Sequence, residues 1–507
     1  MAKTRTQKAL FNTASSLVNE IVSLACGLIL PRLILSNFGS AYNGISSSAT
    51  QMLSSVSILT VGITGATRVA LYRSLAERDS YKTSRILKAT QLYMHKVGYV
   101  LLVMLVLLVA LYPVFVDTGY SWAEIAPLII AAGISAAGQY FIGITYSALL
   151  MADQSIYISN ICMIVSHILN LLVSILLIRA GCTIQAVKLT SSLVLLLNPA
   201  MKAIYVHRKY RLERNCTPDN SALTMRRDVM AHSIANIVHD HTDVIVLTFF
   251  CNVKIVSVYT VYNLVMSALK KTQMVFTSGT EAIFGNMWVK GENDKIAGYL
   301  TLFEYIVCVF ASVAFSTAFA MILPFISIYT KGVKDVEYVL PTYAAVITTA
   351  QMFFAFRTPY LAVIHGAGHY KQTKNGAYAE AIINLTLSVV LVQFLGIVGV
   401  AIGTLAANIF RTTQYAIYIE KNLAPRGRHM FIERVLWVMM NCGLVLLSSR
   451  ALHLDQYAYQ GWPQWFLSSA LTVMIAAVIT VVSSLIFNRK DLSGLVGLLS
   501  RAVKRKH

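Results

Sequence analysis

From residue 12 to residue 487 the chain is a succession of apolar stretches, each close to the roughly 20 residues a helix needs to cross a bilayer. Short segments marked by Gly, Pro and charge separate them. Run length and punctuation place spans at 12–35, 44–70, 89–116, 122–150, 156–178, 183–206, 229–250, 256–287, 297–328, 341–364, 375–395, 397–419, 435–450 and 465–487. The pattern predicts an all-α integral membrane protein of about 14 transmembrane helices, with no polar insert long enough for a separate soluble domain. The longest polar break, 207–228, divides spans 1–6 from spans 7–12. The expected organisation is an N-terminal lobe at 1–206, a cytoplasmic linker at 207–228 and a C-terminal lobe at 229–420. Spans 13 and 14, within 421–487, stand outside the lobes, and 488–507 is a basic tail with apolar positions at helical spacing.

Composition agrees: 56% of residues are hydrophobic and only 13% are charged. The first apolar run is long and carries Glu20, Pro31 and Arg32, which reads as a retained first span and not a cleaved signal peptide. Of the 42 Lys and Arg, most of those outside the spans fall on one side of the membrane, which puts both termini in the cytosol. A net charge of +20 would suggest nucleic acid in a soluble protein. Its clusters here, "HRKYRLERN", "APRGRHMFIER" and "RAVKRKH", are juxtamembrane, so anionic lipid headgroups are the expected partner. The seven cysteines are scattered without a C-x-x-C, which suggests neither a zinc site nor a disulfide framework.

Polar residues inside the spans carry the candidate chemistry. On span 7 His232, Asn236, His239, Asp240 and Asp243 share one helical face. Glu20 lies on a polar stripe of span 1, His167 on one of span 5, and Glu380, Asn384 and Ser388 form one on span 11. An ionisable group at the bilayer centre costs at least roughly 2.5–3.5 kcal/mol, so these stripes face protein or water. Each alone would serve as a helix-pairing hydrogen-bond site; repetition on both halves favours a polar interior. His239 and Asp243, four residues apart, lack a third ligand of good spacing, so no metal is expected.

The deep cations are sharper. Lys270 lies far from the outer end of span 8, about 21 Å along the helix at 1.5 Å per residue. Arg357, in "FRTPY", and Arg411, in "NIFRTTQY", are several residues from the nearest loop, too deep for easy snorkelling. Arg32 is nearer an end. Lys and Arg together suit phosphate oxygens, and a chain this apolar would meet such an anion as a lipid headgroup. The competing reading is a set of structural ion pairs with Glu304, Glu380 or Asp243. No nucleotide cradle of the G-x-x-x-x-G-K-[ST] type occurs, so an ion or substrate gradient is the expected energy source. Glu20, Asp240 and Asp243 are candidate H+ or Na+ sites or switchable salt-bridge partners, and no other cofactor is expected. The outer loops "YTKGVKDVEYVLP" and "ALHLDQYAYQGWPQW" offer little for acid–base catalysis, so the chain is not expected to be an enzyme.

Three stretches carry a family resemblance: "LILPRLILSNFGSAYNGI", "GITGATRVALYRSLAERD", and "HTDVIVLTFFCNVKIVSVYTVYNLV" followed by "FGNMW". They resemble the polysaccharide (O-antigen type) lipid-linked oligosaccharide flippases of the MOP (MATE-like) exporter superfamily, with Arg32 and Gly44 at matching places. The resemblance implies two six-helix lobes in a V, plus two extra helices bordering the prenyl tail. It also implies alternating access in a bacterial cytoplasmic membrane, with undecaprenyl-diphosphate-linked glycan as cargo and a monomeric state. Lys270, Arg357, Arg411 and Arg32 would then hold the diphosphate. Asn236, His239, His167 and Asn384 would line the cavity. A peptidoglycan-precursor flippase and a MATE-like drug exporter are alternatives of the same fold, and a membrane polymerase or ligase is a rival from another class.

Overall fold

A computed structural model describes residues 5–60, 62–213, 215–223, 241–277, 279–427 and 429–504. Among them every regular element is helical, and each of the fourteen expected spans has a helical counterpart. By internal packing the chain divides into two units, Met1–Thr260 with Val333–Val336, and Val261–Gly332 with Glu337–His507.

The first unit contains α1 (Arg5–Phe38), α2 (Ser40–Ser54), α3 (Ile63–Ala76), α4 (Ser80–Phe115), α5 (Trp122–Gly138), α6 (Ile144–Ala152), α7 (Ile156–Arg179), α8 (Ile184–Leu195), α9 (Leu197–Lys209) and α10 (His241–Phe250). The start of α11 (Val253–Thr277) also belongs to it. Helix α1 packs on α7, and α5 packs on α2, α4 and α8. The sequence predicts spans 2, 4 and 6 as single helices; span 2 is broken, while spans 4 and 6 run on through a π-helical turn at Gln139–Gly143 and a one-residue turn at Leu196. Span 2 divides at Gly62, whose φ of +81° favours glycine, so α3 leaves in a new direction. Gly44 is required for close approach: a Cβ there would stand 1.7 Å from the Val253 carbonyl oxygen. In α4, Pro113 has no N–H to offer the Val109 carbonyl, and the Trp122 indole donates to that oxygen at 3.0 Å.

The second unit holds the rest of α11, then α12 (Thr280–Val289), α13 (Asn293–Tyr329), α14 (Pro341–Gly366), α15 (Tyr370–Leu395), α16 (Ile397–Asn422), α17 (His429–Ala451), α18 (Leu454–Ala458), α19 (Trp462–Phe487) and α20 (Arg489–Lys504). Helices α14, α15 and α16 form its tightest group. Gly399 and Gly403 make this possible, since Cβ atoms there would meet the Leu391 carbonyl oxygen at 2.3 Å and Ser388 Oγ at 2.4 Å. Small residues four apart let two helix backbones pack at short range inside a bilayer. Nine helices among the described residues are long and apolar enough to cross a membrane by themselves. Helices α14 and α16 are more polar and are not among these nine; their Arg357, Asn408 and Arg411 side chains are buried against neighbouring helices.

Helices α17 and α19 pack chiefly on α13 and on each other. Ser468, Thr472, Ala476 and Thr480 of α19 are buried, while Phe466, Met474, Val478 and Val481 are exposed. The basic tail is helical, as its spacing predicts. Arg434 ties it down through Asn488 and Asp491, and Leu492 and Leu495 pack beside the core around Tyr305, Trp437 and Val438.

Candidate anion site in the second unit

The "FRTPY" segment of α14 builds the site. Pro359 leaves the Ala355 carbonyl without its helical donor, and an unsatisfied backbone group in hydrocarbon costs several kcal/mol. Gln273 of α11 supplies the bond: its Nε2 donates to Ala355 O at 3.0 Å and to Thr358 Oγ1 at 2.6 Å. This locks α11 to α14 one turn from Lys270. As a result Lys270 Nζ lies 4.6 Å from the centroid of the Phe354 ring and the Arg357 guanidinium 4.3 Å from the same centroid. A ring whose quadrupole attracts cations holds two of them together.

Arg357 and Arg411 share a carboxylate. Arg357 Nη1 donates to Glu380 Oε1 at 2.5 Å, and Arg411 Nε lies 3.4 Å from Glu380 Oε2. All three side chains are at most 5% exposed. Arg411 is fixed further by Nη1 donating to Thr373 O at 3.0 Å and Gln414 Oε1 at 2.6 Å, and by Nη2 donating to Tyr415 Oη at 2.6 Å. Its guanidinium also lies over the Tyr415 ring at 4.1 Å. Gly376 leaves the room: a Cβ there would stand 2.3 Å from Arg411 Nη1. On either side of Arg411, Asn408 Nδ2 donates to Ala350 O at 2.9 Å and Thr412 Oγ1 to Phe353 O at 3.0 Å, fastening α16 to α14. Two buried arginines on one carboxylate, with half-buried Lys270 beside them on the Phe354 ring, gather three cationic groups in one place, which is the electrostatic setting of an anion site.

The other sequence candidates fall elsewhere. Asn384 is 1% exposed and donates to Thr404 Oγ1 at 3.2 Å, pairing α15 with α16. In the first unit, Asp243 is 4% exposed and Tyr259 Oη donates to it at 3.5 Å. His241 Nδ1 is 3.0 Å from Gln51 Oε1. Glu20 and Arg32 sit half-buried on α1, and His167 on α7, where its carbonyl accepts from Cys26 Sγ. Asn236, His239 and Asp240 lie outside the described residues.

Sequence reasoning missed Phe354, Gln273, Gln414 and Tyr415, whose roles depend on contacts between separate helices. It also missed the bidentate pair of Arg426 with Glu304, at 2.7 and 2.9 Å, which removes Glu304 from the candidate partners of the deep cations. The freed carbonyl four residues before Pro359 was the one readable signal, and a Gln within an apolar span was its natural donor.

The helical fold is similar to several solved membrane protein structures. Over 95% of this chain and 99% of the other, at 13% identity and a TM-score of 0.69, it is similar to the lipid II flippase MurJ in an inward closed conformation. An inward-facing multidrug resistance MATE family transporter of the MOP superfamily aligns over 86% of this chain and 98% of its own, with 14% identity and a TM-score of 0.58. The MATE multidrug transporter DinF-BH aligns over 83% of this chain and 95% of its own, with 15% identity and a TM-score of 0.56. The chain therefore has the fold of these structures and is built as a multi-pass membrane protein. No protein-family model matches the sequence, and no curated protein matches it.

Proposed function

We propose that the protein is a flippase, not an enzyme, and that it moves undecaprenyl-diphosphate-linked oligosaccharide from the inner to the outer leaflet of a bacterial cytoplasmic membrane by alternating access. The observation that carries this reading is the buried pair of Arg357 and Arg411 on the carboxylate of Glu380, with half-buried Lys270 on the Phe354 ring that Arg357 also faces. In the unloaded protein Glu380 neutralises part of the charge and keeps both guanidiniums oriented. A diphosphate offers more acceptor oxygens and more negative charge, so it competes for the arginine N–H groups that Glu380 holds. Release follows when the carboxylate takes them back. Both states keep the arginines paired, which avoids the penalty of an isolated buried charge.

Asp243, with Glu20 and Asp240, is the proposed seat of H+ or Na+ coupling; burial of Asp243 beside Tyr259 supports this for the first of them. Both termini are proposed to be cytosolic and the protein monomeric. A second reading, a peptidoglycan-precursor flippase, is favoured by the similarity to MurJ and uses the same diphosphate chemistry. Export of cationic drugs fits poorly with a site built from a lysine and two arginines. The test is translocation in liposomes holding only this protein. Flipping of lipid-linked O-antigen-type oligosaccharide is expected, without flipping of lipid II. Movement of lipid II alone would establish the second reading, and movement of neither would refute both.

A further inference from the structure

Helices α8 and α9 run as one span, and one face of it changes chemistry at its C-terminal end. Leu193, Leu197, Met201, Ile204 and Arg208 follow one another at three- and four-residue steps, so they form a single stripe. Leu193, Leu197 and Ile204 are exposed and Met201 is half-buried. In a bilayer such a face meets lipid chains. From Leu193 to Ile204 the stripe runs about 16 Å at 1.5 Å per residue, close to half of the roughly 30 Å hydrocarbon core. The apolar part therefore matches the depth of one leaflet, and Arg208 comes one turn beyond it.

At that end Met201, Ile204, Tyr205, Arg208 and Lys209 line a recess of about 340 Å³. Tyrosines gather at headgroup level in membrane proteins, and Tyr205 and Tyr210 flank this turn of α9. The two cations of the recess are not equivalent. Lys209 Nζ lies 3.0 Å from Asp153 Oδ2 and over the Tyr205 and Tyr210 rings, 5.5 and 5.0 Å from their centroids. Its charge is balanced within the protein. Arg208 is exposed and makes no hydrogen bond, ion pair or ring contact among the described residues. Its guanidinium N–H groups are all left for an anion. No carboxylate is among the described residues that line the recess.

We propose that this face of α8 and α9 binds one anionic phospholipid, with the phosphate on the Arg208 guanidinium and an acyl chain along Ile204, Met201, Leu197 and Leu193. A planar, always charged guanidinium suits phosphate oxygens, and Lys209 adds positive field, so a headgroup of net negative charge is preferred to a zwitterionic one. The site lies in the first unit, and the proposal is independent of what cargo the protein carries.

The experiment titrates the purified full-length chain in detergent with dioleoyl phosphatidylglycerol and reads the fraction holding one lipid by native mass spectrometry. Wild type is expected to hold it at least about tenfold more tightly than dioleoyl phosphatidylcholine, and Arg208→Gln to weaken it about tenfold or more, the scale of one charge-assisted hydrogen bond. An exposed arginine without partners can be removed without unfolding the protein. Ile204→Ser, which leaves the charge in place, should weaken both lipids. Lys490→Gln removes an exposed charge from the tail helix in the second unit and should leave binding unchanged. General attraction of basic residues to anionic lipid is worth about fivefold per residue wherever the residue lies. The proposal is overturned if wild type does not distinguish the two lipids, if Arg208→Gln or Ile204→Ser binds as wild type does, or if Lys490→Gln loses as much as Arg208→Gln. An excess of undecaprenyl phosphate should leave the phosphatidylglycerol in place; displacement would assign the recess to a prenyl lipid and overturn the phospholipid.

Discussion

Replacing Glu380 by Gln keeps the shape of the side chain and removes the charge between Arg357 and Arg411. Unit charges about 4 Å apart at an effective dielectric of about 20 attract by about 4 kcal/mol, so the two contacts amount to about 8 kcal/mol gross. The glutamine regains the several kcal/mol that a buried carboxylate loses in desolvation. What remains is a net loss of about 3–5 kcal/mol, the range measured when one partner of a buried ion pair is removed. The loss is large because both guanidiniums are at most 5% exposed and cannot turn to water. Equilibrium unfolding of purified wild type and Glu380→Gln in lipid bicelles measures the difference. A loss under about 1 kcal/mol, the scale of an exposed pair, would refute the view that the two arginines depend on this carboxylate.

Gly376→Ala puts a methyl group 2.0 Å from Gln414 Oε1 and 2.3 Å from Arg411 Nη1; it should displace Arg411, cost about 1–3 kcal/mol and slow translocation, as unfolding and transport assays would register. Gln273→Leu leaves the Ala355 carbonyl without its donor and should cost about 1–3 kcal/mol of stability, as equilibrium unfolding would register. In the first unit, burial by itself would raise the Asp153 carboxyl, but hydrogen bonds from Tyr210, Ser155 and Lys209 outweigh it and hold the group below its usual value. A depressed pKa gives stability that is fully present above the unfolded value of about 3.9 and is lost as pH falls through the folded value. The stability gap between wild type and Asp153→Asn should therefore be constant from neutral to mildly acidic pH and shrink below about pH 4, as unfolding midpoints across that range would record.

Much of the fold is legible because the bilayer imposes one rule: a helix must present about 20 apolar residues, and charges punctuate the ends. The same rule makes Lys270, Arg357 and Arg411 conspicuous, since each interrupts an apolar run. Their partner was less visible. Glu304, Glu380 and Asp243 were equivalent by sequence, and packing decides among them: Glu304 is taken by Arg426, Asp243 sits with Tyr259 in the first unit, and Glu380 shares a helix group with both arginines. The break in span 2 and the irregular turn in span 4 were not legible either. A glycine at position 62 among other glycines carries no mark of its φ, and the π-helical turn at Gln139–Gly143 leaves the apolar pattern intact. Asn384 illustrates how a polar stripe is ambiguous, because a residue on a buried face can pair helices, as it does with Thr404, while sharing the face of a charged cluster.

The central claim is that a diphosphate takes the arginine N–H groups that Glu380 holds in the unloaded protein. It is tested most directly by the affinity of the purified protein for undecaprenyl diphosphate, measured in nanodiscs for wild type, Arg357→Gln and Glu380→Gln. Losing one charge-assisted hydrogen bond should weaken binding of Arg357→Gln by roughly 10- to 150-fold. Glu380→Gln, with the competing carboxylate removed, should bind more tightly than wild type. Equal affinity in all three proteins would contradict the exchange and leave the cluster as an ion pair that only holds α14, α15 and α16 together.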